Sequence, residues 1–556
     1  MASIIDISFF CIRKILLIVF FSLSSICYVH GNVWYVAPDG SNHTGNGNGR
    51  TPAEPLQSIA FAFNTAAGPG DTIFVMDGVY RNSGFGNGSL DNGPAAYLNN
   101  SGEPGQPIVL TAYSGHQPVI EFDGAGGFTA NRLSHVEISG FLIRGPSGRI
   151  NEAEALMHRL ILPRPNYYNG RGIAIWGPAN HIRIHNNTVK ECPASGIRIN
   201  RGDYLTISHN MIYGNTRHTS AAESALVVAD ARSIDEADSI KIRIENNMVW
   251  DNRNLIPFYT PNPPDIGVPD YGTREQDYII DGSGVYMTRN KDYEYGWFYL
   301  ANNISFNNGI NGLVVHRTDR AIVINNTSYM NGATPLESGR QSSSGITLNN
   351  AEHVRVYNNI SWARYADDFA LGRYGELRDV VLEANIIYGG FSPFETGYRE
   401  ADPRFAHAST DPEAADFSLE PGSPAINAGL YNTYTPAKDF FGSKRIPESM
   451  DIGAVAYSTP TSIVETIRDA VPEPGTLCVE VYPNPTNSML NIVLNDTDSI
   501  SSLRIFDVLG RTVYAANGLS SNQYHIHTAL FSSGLYLVVV EDVKRNISQT
   551  TVTILE

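Results

Sequence analysis

Two ionisable side chains, His316 and Tyr286, stand in similar short segments that each begin with glycine. The segments, residues 284–288 and 312–316, alternate between inward and outward positions, and this alternation places both side chains on the outward face. A histidine or a tyrosine can take the proton at C5 of a uronic acid or return a proton to the leaving oxygen. The pattern therefore predicts proton-transfer chemistry on the surface of a β-sheet.

Basic residues accompany this pair along the same outward strip. β-Elimination on a uronic acid polymer needs a cation that stabilises the enolate-like carboxylate, and arginine can hold a carboxylate through two parallel hydrogen bonds. Ca²⁺ is another neutraliser, and no metal ligands are assigned from the sequence. We assign His316, Tyr286 and Arg198 to catalysis. We assign to substrate binding Trp176, Asn200, Arg201, Arg289, Arg317 and Asn349.

Two other functions stay open. A glycoside hydrolase needs a pair of carboxylates, and Asp281 and Glu223, which both lie just before strip segments, form the best pair. Acidic residues between Asp230 and Asp238 could bind a cation, but a solvated acidic turn is the interpretation we favour. The remaining alternative is a carbohydrate-binding or adhesin protein that does not cleave its ligand.

A recurring asparagine pair indicates the scaffold that positions these residues. Alternating apolar residues lead into each copy, as in a β-strand with one buried face. From one copy to the next the spacings are 23, 37, 56, 23, 33 and 26 residues, which indicates a solenoid with a ladder of stacked asparagines. The copies end at Asn187, Asn210, Asn247, Asn303, Asn326, Asn359 and Asn385.

The longer spacings indicate loops inserted on one side of the coil. Insertions at 211–223, 250–283 and 330–344 precede the strip, and others at 229–239 and 289–296 follow it. Loops inserted at one angular position stack, so we expect a polymer-binding groove, about 25 Å long over six turns, with a wall on each side. Four aromatic residues of the longest loop could contact sugars or could simply pack the loop against the coil: Phe258, Tyr259, Tyr271 and Tyr278. The predicted outward pairs of the floor are Ala174/Trp176, Arg198/Asn200, Leu226/Val228, Tyr286/Thr288, Val314/His316 and Thr347/Asn349.

Composition and targeting limit the partners. The N-terminus reads as a secretory signal peptide over residues 1–31, and its removal changes the net charge from −17 to −18. This charge argues against nucleic acid or an anionic membrane surface as a partner, and no stable membrane span is expected after cleavage. Cys192 and Cys478 remain in the mature chain and are expected to be unpaired.

Several motifs of residues 32–457 resemble secreted right-handed parallel β-helix proteins, a group that includes polysaccharide lyases. The resemblance rests on the opening residues 34–40, on 69–72, 78–80 and 107–120, and on the closing residues 421–425 and 451–454. It implies an all-β fold, a right-handed parallel β-helix solenoid. A short N-terminal capping helix is expected from Leu56, Ile59, Ala60 and Phe63. The catalytic motifs of the better-known lyases of this fold are missing, and Lys291 is the nearest lysine to the strip.

The last part of the chain resembles the C-terminal sorting domain of type IX secretion substrates. Three ordered motifs carry the resemblance, at residues 482–485, 503–511 and 533–536. They imply a small C-terminal β-sandwich over residues 479–556, joined to the solenoid by a linker at 458–478. The resemblance also implies the type IX secretion machinery as a partner. The protein is therefore expected to be secreted or held at the outer-membrane cell surface.

Overall fold

The computed structural model describes residues 31–45, 48–260, 278–335 and 343–457 of the solenoid region. In the C-terminal region it describes residues 479–482, 489–494, 499–507, 512–517, 519, 521–527, 531, 534–543 and 547–554. The predicted signal peptide up to residue 30, the predicted linker and Cys478 lie outside the described residues.

The solenoid is a coil in which each turn, or rung, contributes strands to three parallel sheets. The first sheet contains Ala96–Tyr97, Gly126–Ala130, Arg171–Ile175, Ile197–Asn200, Leu226–Ala229, Val285–Asn290 and Leu313–Thr318. The second contains Val33–Val36, Thr72–Val75, Ile108–Ala112, Leu133–Ser139, Ala179–His185, Gly202–Ser208, Ile240–Glu245, Trp297–Ala301 and Ala321–Ile324. The third contains Val79–Arg81, Val119–Glu121, Leu142–Arg144, Thr188–Lys190, Met211–Tyr213, Met248–Trp250, Ile304–Phe306, Thr327–Asn331, Ile360–Ala363, Asn385–Tyr388 and Tyr398–Glu400.

Two long strands close the first and second sheets at the C-terminal end. Ser344–Tyr357 and Phe369–Glu383 each run through the corner between these sheets and pair with one another in parallel. Inside the coil, the inward residues of successive rungs stack into one apolar core, such as Ile182, Leu205 and Ile242 of the second sheet. The prediction of an all-β parallel β-helix is confirmed.

The asparagine ladder is present, and the two asparagines of a pair have different tasks. The second is buried, and the side-chain amide of Asn210 donates to Asn247 Oδ1 at 3.0 Å, as Asn247 does to Asn303 at 3.0 Å. The first stands in the left-handed region, with φ of 56° at Asn246, which asparagine tolerates better than most residues. The pair therefore provides both a turn and a buried hydrogen-bond donor.

A second asparagine ladder was not predicted from the sequence. Asn215, Asn252, Asn308 and Asn331 are buried at the corner between the third and first sheets, with amide-to-amide distances of 2.9 Å. Only Asn308 among these follows another asparagine, so no recurring dipeptide marks this ladder, although each member stands five residues after a member of the first ladder. The corner that precedes the first sheet is thereby held in register while its loops vary in length.

The predicted N-terminal helix is present. An α-helical turn, Ile59–Phe61, continues into a π-helical turn, Ala62–Ala66. The Ser58 hydroxyl accepts a hydrogen bond from Phe61 N at 3.2 Å and caps the helix. Leu56, Ile59 and Phe63 are buried in the apolar core of the coil. Further helical segments in the described ranges are the α-helix Glu152–His158 and the 3₁₀ turns Ser147–Arg149, Asn166–Tyr168 and Pro447–Ser449.

After the last rung the chain folds back over the outside of the coil. A hairpin of Phe405–His407 and Asp416–Leu419 packs against Phe306 and Tyr329 on the third sheet. Buried Arg445 donates to Asn302 Oδ1 at 2.9 Å, at the corner between the second and third sheets. These contacts cover the second and third sheets near their C-terminal ends.

The C-terminal region has a separate core, as the sandwich prediction requires. Val479–Tyr482, Met489–Leu494 and Gln523–His527 form one antiparallel sheet. The other is formed by Ile500–Asp507, Thr512–Asn517, Gly534–Asp542 and Ile547–Ile554. Side chains of both sheets, such as Leu490 and Val538, share one apolar cluster. Within the described part of the chain, no helix has the length and apolar character needed to cross a membrane.

Candidate functional site

The outer face of the first sheet carries two ladders of side chains. One ladder aligns Ala174, Arg198, Val227, Tyr286, Val314 and Thr347. The other aligns Asn200, Ala229, Thr288, His316, Asn349 and Tyr374. Ile175 pairs with Ile199, so Trp176, the residue after Ile175, lies at the level of Asn200. Five of the six predicted outward pairs are confirmed.

The predicted outward pair Leu226/Val228 is wrong. Leu226 aligns with Ile197 and Val228 with Ile199, so both point into the core, and Val227 and Ala229 face outward. The strand is shifted by one residue from the predicted register, because Ala225 rather than Ser224 lies opposite Gly196 of the neighbouring rung. In a strand, a shift of one residue exchanges the two faces.

Loops form walls on both sides of this face, as predicted. Before the sheet, successive loops bond to each other through the backbone, for example Arg253 N to Asn215 O at 3.2 Å and Gly309 N to Asn252 O at 2.8 Å. After the sheet, the Ser233 hydroxyl donates to Tyr295 O at 2.8 Å. Most of the first ladder is buried, and Tyr286 is its half-buried member.

The aromatic residues of the longest loop have different environments. Tyr259 is buried and Phe258 is half-buried, whereas Tyr278 is exposed at the surface. Phe258 N donates to Tyr278 O at 2.9 Å, which joins the two ends of the described part of the loop. Tyr271 lies outside the described residues.

The structure brings Tyr286 and His316 together. They lie on adjacent rungs, the Tyr286 hydroxyl is 3.2 Å from His316 Nδ1, and both side chains are half-buried. The Thr288 hydroxyl lies 2.9 Å from the same nitrogen. The sequence pattern places Thr288 on the strip without indicating a role for it.

Burial and nearby charge fix the protonation of this pair. Burial, with the charges of Arg317 and Arg289, lowers the pKa of His316 to about 4, so the imidazole is neutral at pH 7. Burial and the carboxylate of Asp281 raise the pKa of Tyr286 well above its usual value, so the phenol keeps its proton. The site therefore offers an unprotonated base and a protonated hydroxyl in direct contact.

The predicted arginines of the turn after the first sheet are arranged as another ladder. Arg201, Arg289 and Arg317 all have a positive φ, of 55°, 56° and 45°. Arg289 donates two hydrogen bonds to Asp230, at 3.0 and 2.9 Å. Arg317 follows His316 and forms no ion pair with any described residue, and Arg201 is exposed.

Arg198 lies elsewhere in the groove, two rungs from Tyr286. Its guanidinium is buried, donates to Glu223 at 2.9 Å and to Asn200 at 2.9 Å, and is therefore already neutralised. Arg171, which sequence reasoning missed, also pairs with Glu223 and stacks on the Trp176 ring at 4.8 Å. The sequence did contain a sign of this ion pair. Glu223 is an acid that lies just before the strip strand two rungs after the strand that Arg171 begins.

The carboxylate pair of the hydrolase alternative is buried. Burial opposes ionisation, but Arg171 and Arg198 lower the pKa of Glu223 to about 2, and Ser195 also donates to it. Burial raises the pKa of Asp281 to about 6. Values pushed apart in this way suit an acid and a base. However, Glu223 is only 2% exposed and both its oxygens are occupied, so it cannot contact a sugar as it stands.

The acidic turn after the groove forms separate contacts. Asp230 pairs with Arg289, Asp235 with Lys241 at 2.5 Å, and Asp238 with Arg320 at 3.2 Å. In the described ranges, no three His, Cys, Asp or Glu side chains converge as metal ligands would. Cys192 is buried and unpaired.

Aromatic residues gather at the C-terminal end of the groove. Tyr374 aligns with Asn349, which itself aligns with His316. The Tyr374 ring meets Phe369 edge-on at 5.6 Å, and Phe369 contacts Phe391 at 4.4 Å. Phe391 and Tyr365 are exposed, so an apolar surface borders the second ladder two rungs from His316.

Comparison with known families agrees with this architecture. Residues 119–328 match the family described as right handed beta helix region, and residues 480–554 match the secretion system C-terminal sorting domain. The chain is a right-handed parallel β-helix protein with a sorting domain. The sorting domain marks this β-helix protein for type IX export to the cell surface or the extracellular space. No curated protein matches it in sequence.

Solved structures similar to this β-helix protein have diverse activities. A rhamnogalacturonan lyase is 13% identical with a TM-score of 0.35, over 79% of this chain and 98% of its own. A lacto-N-biosidase from Eubacterium ramulus is 12% identical with a TM-score of 0.35, over 65% and 57%. A mannuronan C-5 epimerase A-module from Azotobacter vinelandii is 13% identical with a TM-score of 0.35, over 62% and 92%. Likeness at this level says nothing about activity.

Proposed function

We propose that this protein cleaves an acidic, uronate-containing polysaccharide by β-elimination in the groove of the first sheet. The observation that carries the proposal is the 3.2 Å contact between the Tyr286 hydroxyl and His316 Nδ1, on half-buried side chains of adjacent rungs. A proton acceptor and a proton donor in contact are what this reaction needs.

The pair can carry out both proton transfers of the reaction. His316 takes the proton from C5, and the electrons of the C5–H bond form the double bond between C4 and C5. The C4–O4 bond breaks, and the leaving O4 takes the proton of the Tyr286 hydroxyl. His316 then returns its proton to Tyr286 across their hydrogen bond, so both groups are restored and no co-reactant is consumed.

The charge that develops on the uronate carboxylate needs a cation close to His316. Arg317 is the best candidate, since it is half-buried, follows His316 directly and has no ion-pair partner among the described residues. Arg289 lies one rung away and shares its charge with Asp230. We assign Arg198 to holding Glu223 and Trp176 in place, because its own charge is already paired.

The other predicted binding residues lie along the same polymer path. Asn349 follows His316 in the second ladder, where its amide can bond to a sugar hydroxyl. Trp176, Asn200 and Arg201 line the N-terminal rungs, three rungs or more from His316, where they would contact sugars distant from the cleaved bond.

Product chemistry tests the proposal. Incubation with a panel of uronate-containing polymers should give products with a C4=C5 double bond, seen as absorbance in the far ultraviolet. New reducing ends without that absorbance would replace elimination by hydrolysis. Binding without either product would make the protein a binding module or adhesin.

Calcium is the alternative neutraliser of the uronate carboxylate. Chelation with EDTA should leave the rate unchanged if Arg317 supplies the positive charge. A loss of activity that added Ca²⁺ restores, but Mg²⁺ does not, would assign that task to the metal ion. The variant Arg317→Gln provides the complementary measurement, because it should lower the rate whether or not EDTA is present.

A further inference from the structure

A second cationic site lies on the third sheet, outside the groove. Arg81, Glu121 and Arg144 are aligned on three successive rungs, and Arg149 lies in the helical turn that follows. Glu121 is buried and accepts hydrogen bonds from Arg81 at 2.7 Å, Arg144 at 2.9 Å and Arg149 at 3.1 Å. One carboxylate thus contacts three guanidinium groups.

The cluster has an excess of positive charge that faces solvent. Burial opposes ionisation of Glu121, but Arg81 and Arg144 hold its pKa below the usual value, so it carries one negative charge. The arginine side chains are 51%, 37% and 45% exposed, and most of their N–H groups are not used by Glu121. Buried Asp123 nearby reduces the excess but does not cancel it. Lys190, which aligns with Arg144 on the next rung of the third sheet, pairs with Glu191 at 3.4 Å.

An aromatic ring contacts two of these arginines. Phe85 lies 4.7 Å from the Arg81 guanidinium and 5.0 Å from that of Arg149. Its loop is fixed by Asp123, which accepts hydrogen bonds from Gly86 N at 2.6 Å and from the Asn82 amide at 2.8 Å. The ring and the guanidinium groups therefore form one ordered surface.

We infer that Arg81, Arg144, Arg149 and Phe85 form a non-catalytic binding site for the anionic groups of an acidic glycan, carboxylate or sulfate. A guanidinium fork matches both groups through two parallel hydrogen bonds, and the ring can pack against a sugar. The whole chain is strongly negative, so an anionic polymer is repelled at long range, and a local cationic site would hold it at the surface. The inference does not depend on cleavage in the groove.

Calorimetric titration of the full chain tests the site. The parent protein carries His316→Ala so that no ligand is consumed. Three oligosaccharides of equal length are titrated: one that contains uronate, one of neutral sugars that carries sulfate groups, and one without charge. Arg81→Gln with Arg149→Gln should weaken binding of an anionic ligand at least tenfold, and Arg144 still pairs with Glu121. Arg183→Gln, an exposed arginine beside Glu137 on the second sheet, is the matched control and should bind like the parent.

The outcomes separate this site from the groove. If the groove also binds uronate, Arg81→Gln with Arg149→Gln lowers the number of uronate-binding sites per chain from two to one. If the groove does not bind uronate, the same variant lowers that number from one to none. Loss with the sulfated ligand alone identifies sulfate as the ligand. Equal titrations for the double variant and the control overturn the inference. Arg81→Lys with Arg149→Lys keeps the charge, should weaken binding at least threefold, and serves if the glutamine variant does not fold.

Discussion

Tyr286 and His316 act as a unit in the proposed reaction, because the proton that His316 takes from C5 replaces the proton that Tyr286 gives to O4. Their contact spans two rungs of the coil and is flanked by Thr288, whose hydroxyl lies 2.9 Å from the same imidazole nitrogen. Residues that act as one unit give strongly non-additive losses when they are replaced together. This property distinguishes a catalytic pair from two independent surface residues.

Replacement of the pair gives the first prediction. His316→Ala and Tyr286→Phe should each lower kcat about 10²- to 10⁴-fold, the usual contribution of general acid or base catalysis. The double variant should be at most about tenfold slower than the worse single variant. Steady-state rates on the preferred polymer test this, with His353→Ala, an exposed histidine on the second sheet, as the control. Losses that multiply would show that the two residues act separately.

The protonation of His316 gives a second prediction, on pH. Its pKa is about 4 in the folded protein and about 6.5 when unfolded, so between these values only the unfolded chain binds the proton. The stability contributed by neutral His316 is complete above about pH 6.5 and is lost as the pH falls towards 4. The rate should likewise fall through an acid limb near pH 4.

A pH–rate profile checks this directly. An acid limb near pH 6.5 would contradict the lowered pKa of His316 and its partly buried, neutral imidazole. Because Asp281 has a pKa of about 6, the profile is repeated with Asp281→Asn, which removes that ionisation and should leave the limb near 4 in place.

At the scale of elements, the asparagine ladders hold the rungs in register while the loops between them change in length. The side-chain amide of Asn247 donates to Ile207 O at 2.8 Å and to Asn303, and its oxygen accepts from Asn210 N at 3.1 Å. All of these groups are buried. A ladder residue therefore stabilises three rungs at once, and its loss leaves several buried polar groups without partners.

We expect Asn247→Ala to lower the free energy of unfolding by about 2–4 kcal/mol, since buried donors and acceptors lose their partners. Asn246→Gly is the matched control, because glycine adopts the same left-handed backbone, and it should change stability by less than about 1 kcal/mol. Urea denaturation followed by circular dichroism measures both. Equal losses for the two variants would show that the turn, rather than the ladder, limits stability.

The C-terminal end of the groove provides another element-scale prediction. Tyr374 lies two rungs, about 10 Å, beyond His316 and borders an exposed aromatic surface. If the polymer follows the second ladder, Tyr374→Ala should raise KM for polymer about three- to tenfold with little change in kcat, because Tyr374 would contact sugars away from the bond that breaks. Tyr431→Ala, an exposed tyrosine of the folded-back segment, should leave both constants unchanged. A loss confined to kcat would contradict the role in binding.

For the whole molecule, two independent cores separate the groove from the means of export. The solenoid core and the sandwich core share no cluster among the described residues. The folded-back segment covers parts of the second and third sheets, and the first sheet keeps its groove. The sorting domain and the groove are thus separate in structure and, we expect, in function.

Truncation after residue 457 tests this separation. The shortened protein, residues 32–457, should keep kcat and KM within about twofold, because the residues of the groove and its walls all precede the cut. In the producing cell, the full chain should reach the surface or the medium, and the truncated chain should not. Activity that depends on residues 479–556 would show that the sandwich contributes to the site.

The sequence alone was sufficient for the parts of this protein that repeat. Alternation with a recurring interval predicted the strands, the first asparagine ladder, the side of the coil where loops gather and the outward face shared by His316 and Tyr286, and the structure added the contact between these two side chains. Each of these predictions depends only on local periodicity, and a solenoid brings the same position of successive rungs together. The second ladder was missed because only Asn308 of its members belongs to an asparagine pair, although all four stand five residues after a member of the first ladder.

Only the tertiary structure decided which side chains are free to act. It paired Arg198 with Glu223 and Arg289 with Asp230, while Arg317 stayed without an ion-pair partner among the described residues. It also turned Leu226 into the core, because one extra residue before a strand exchanges its faces. Burial and ion pairing arise from loops whose lengths do not repeat, and periodicity carries no information about them.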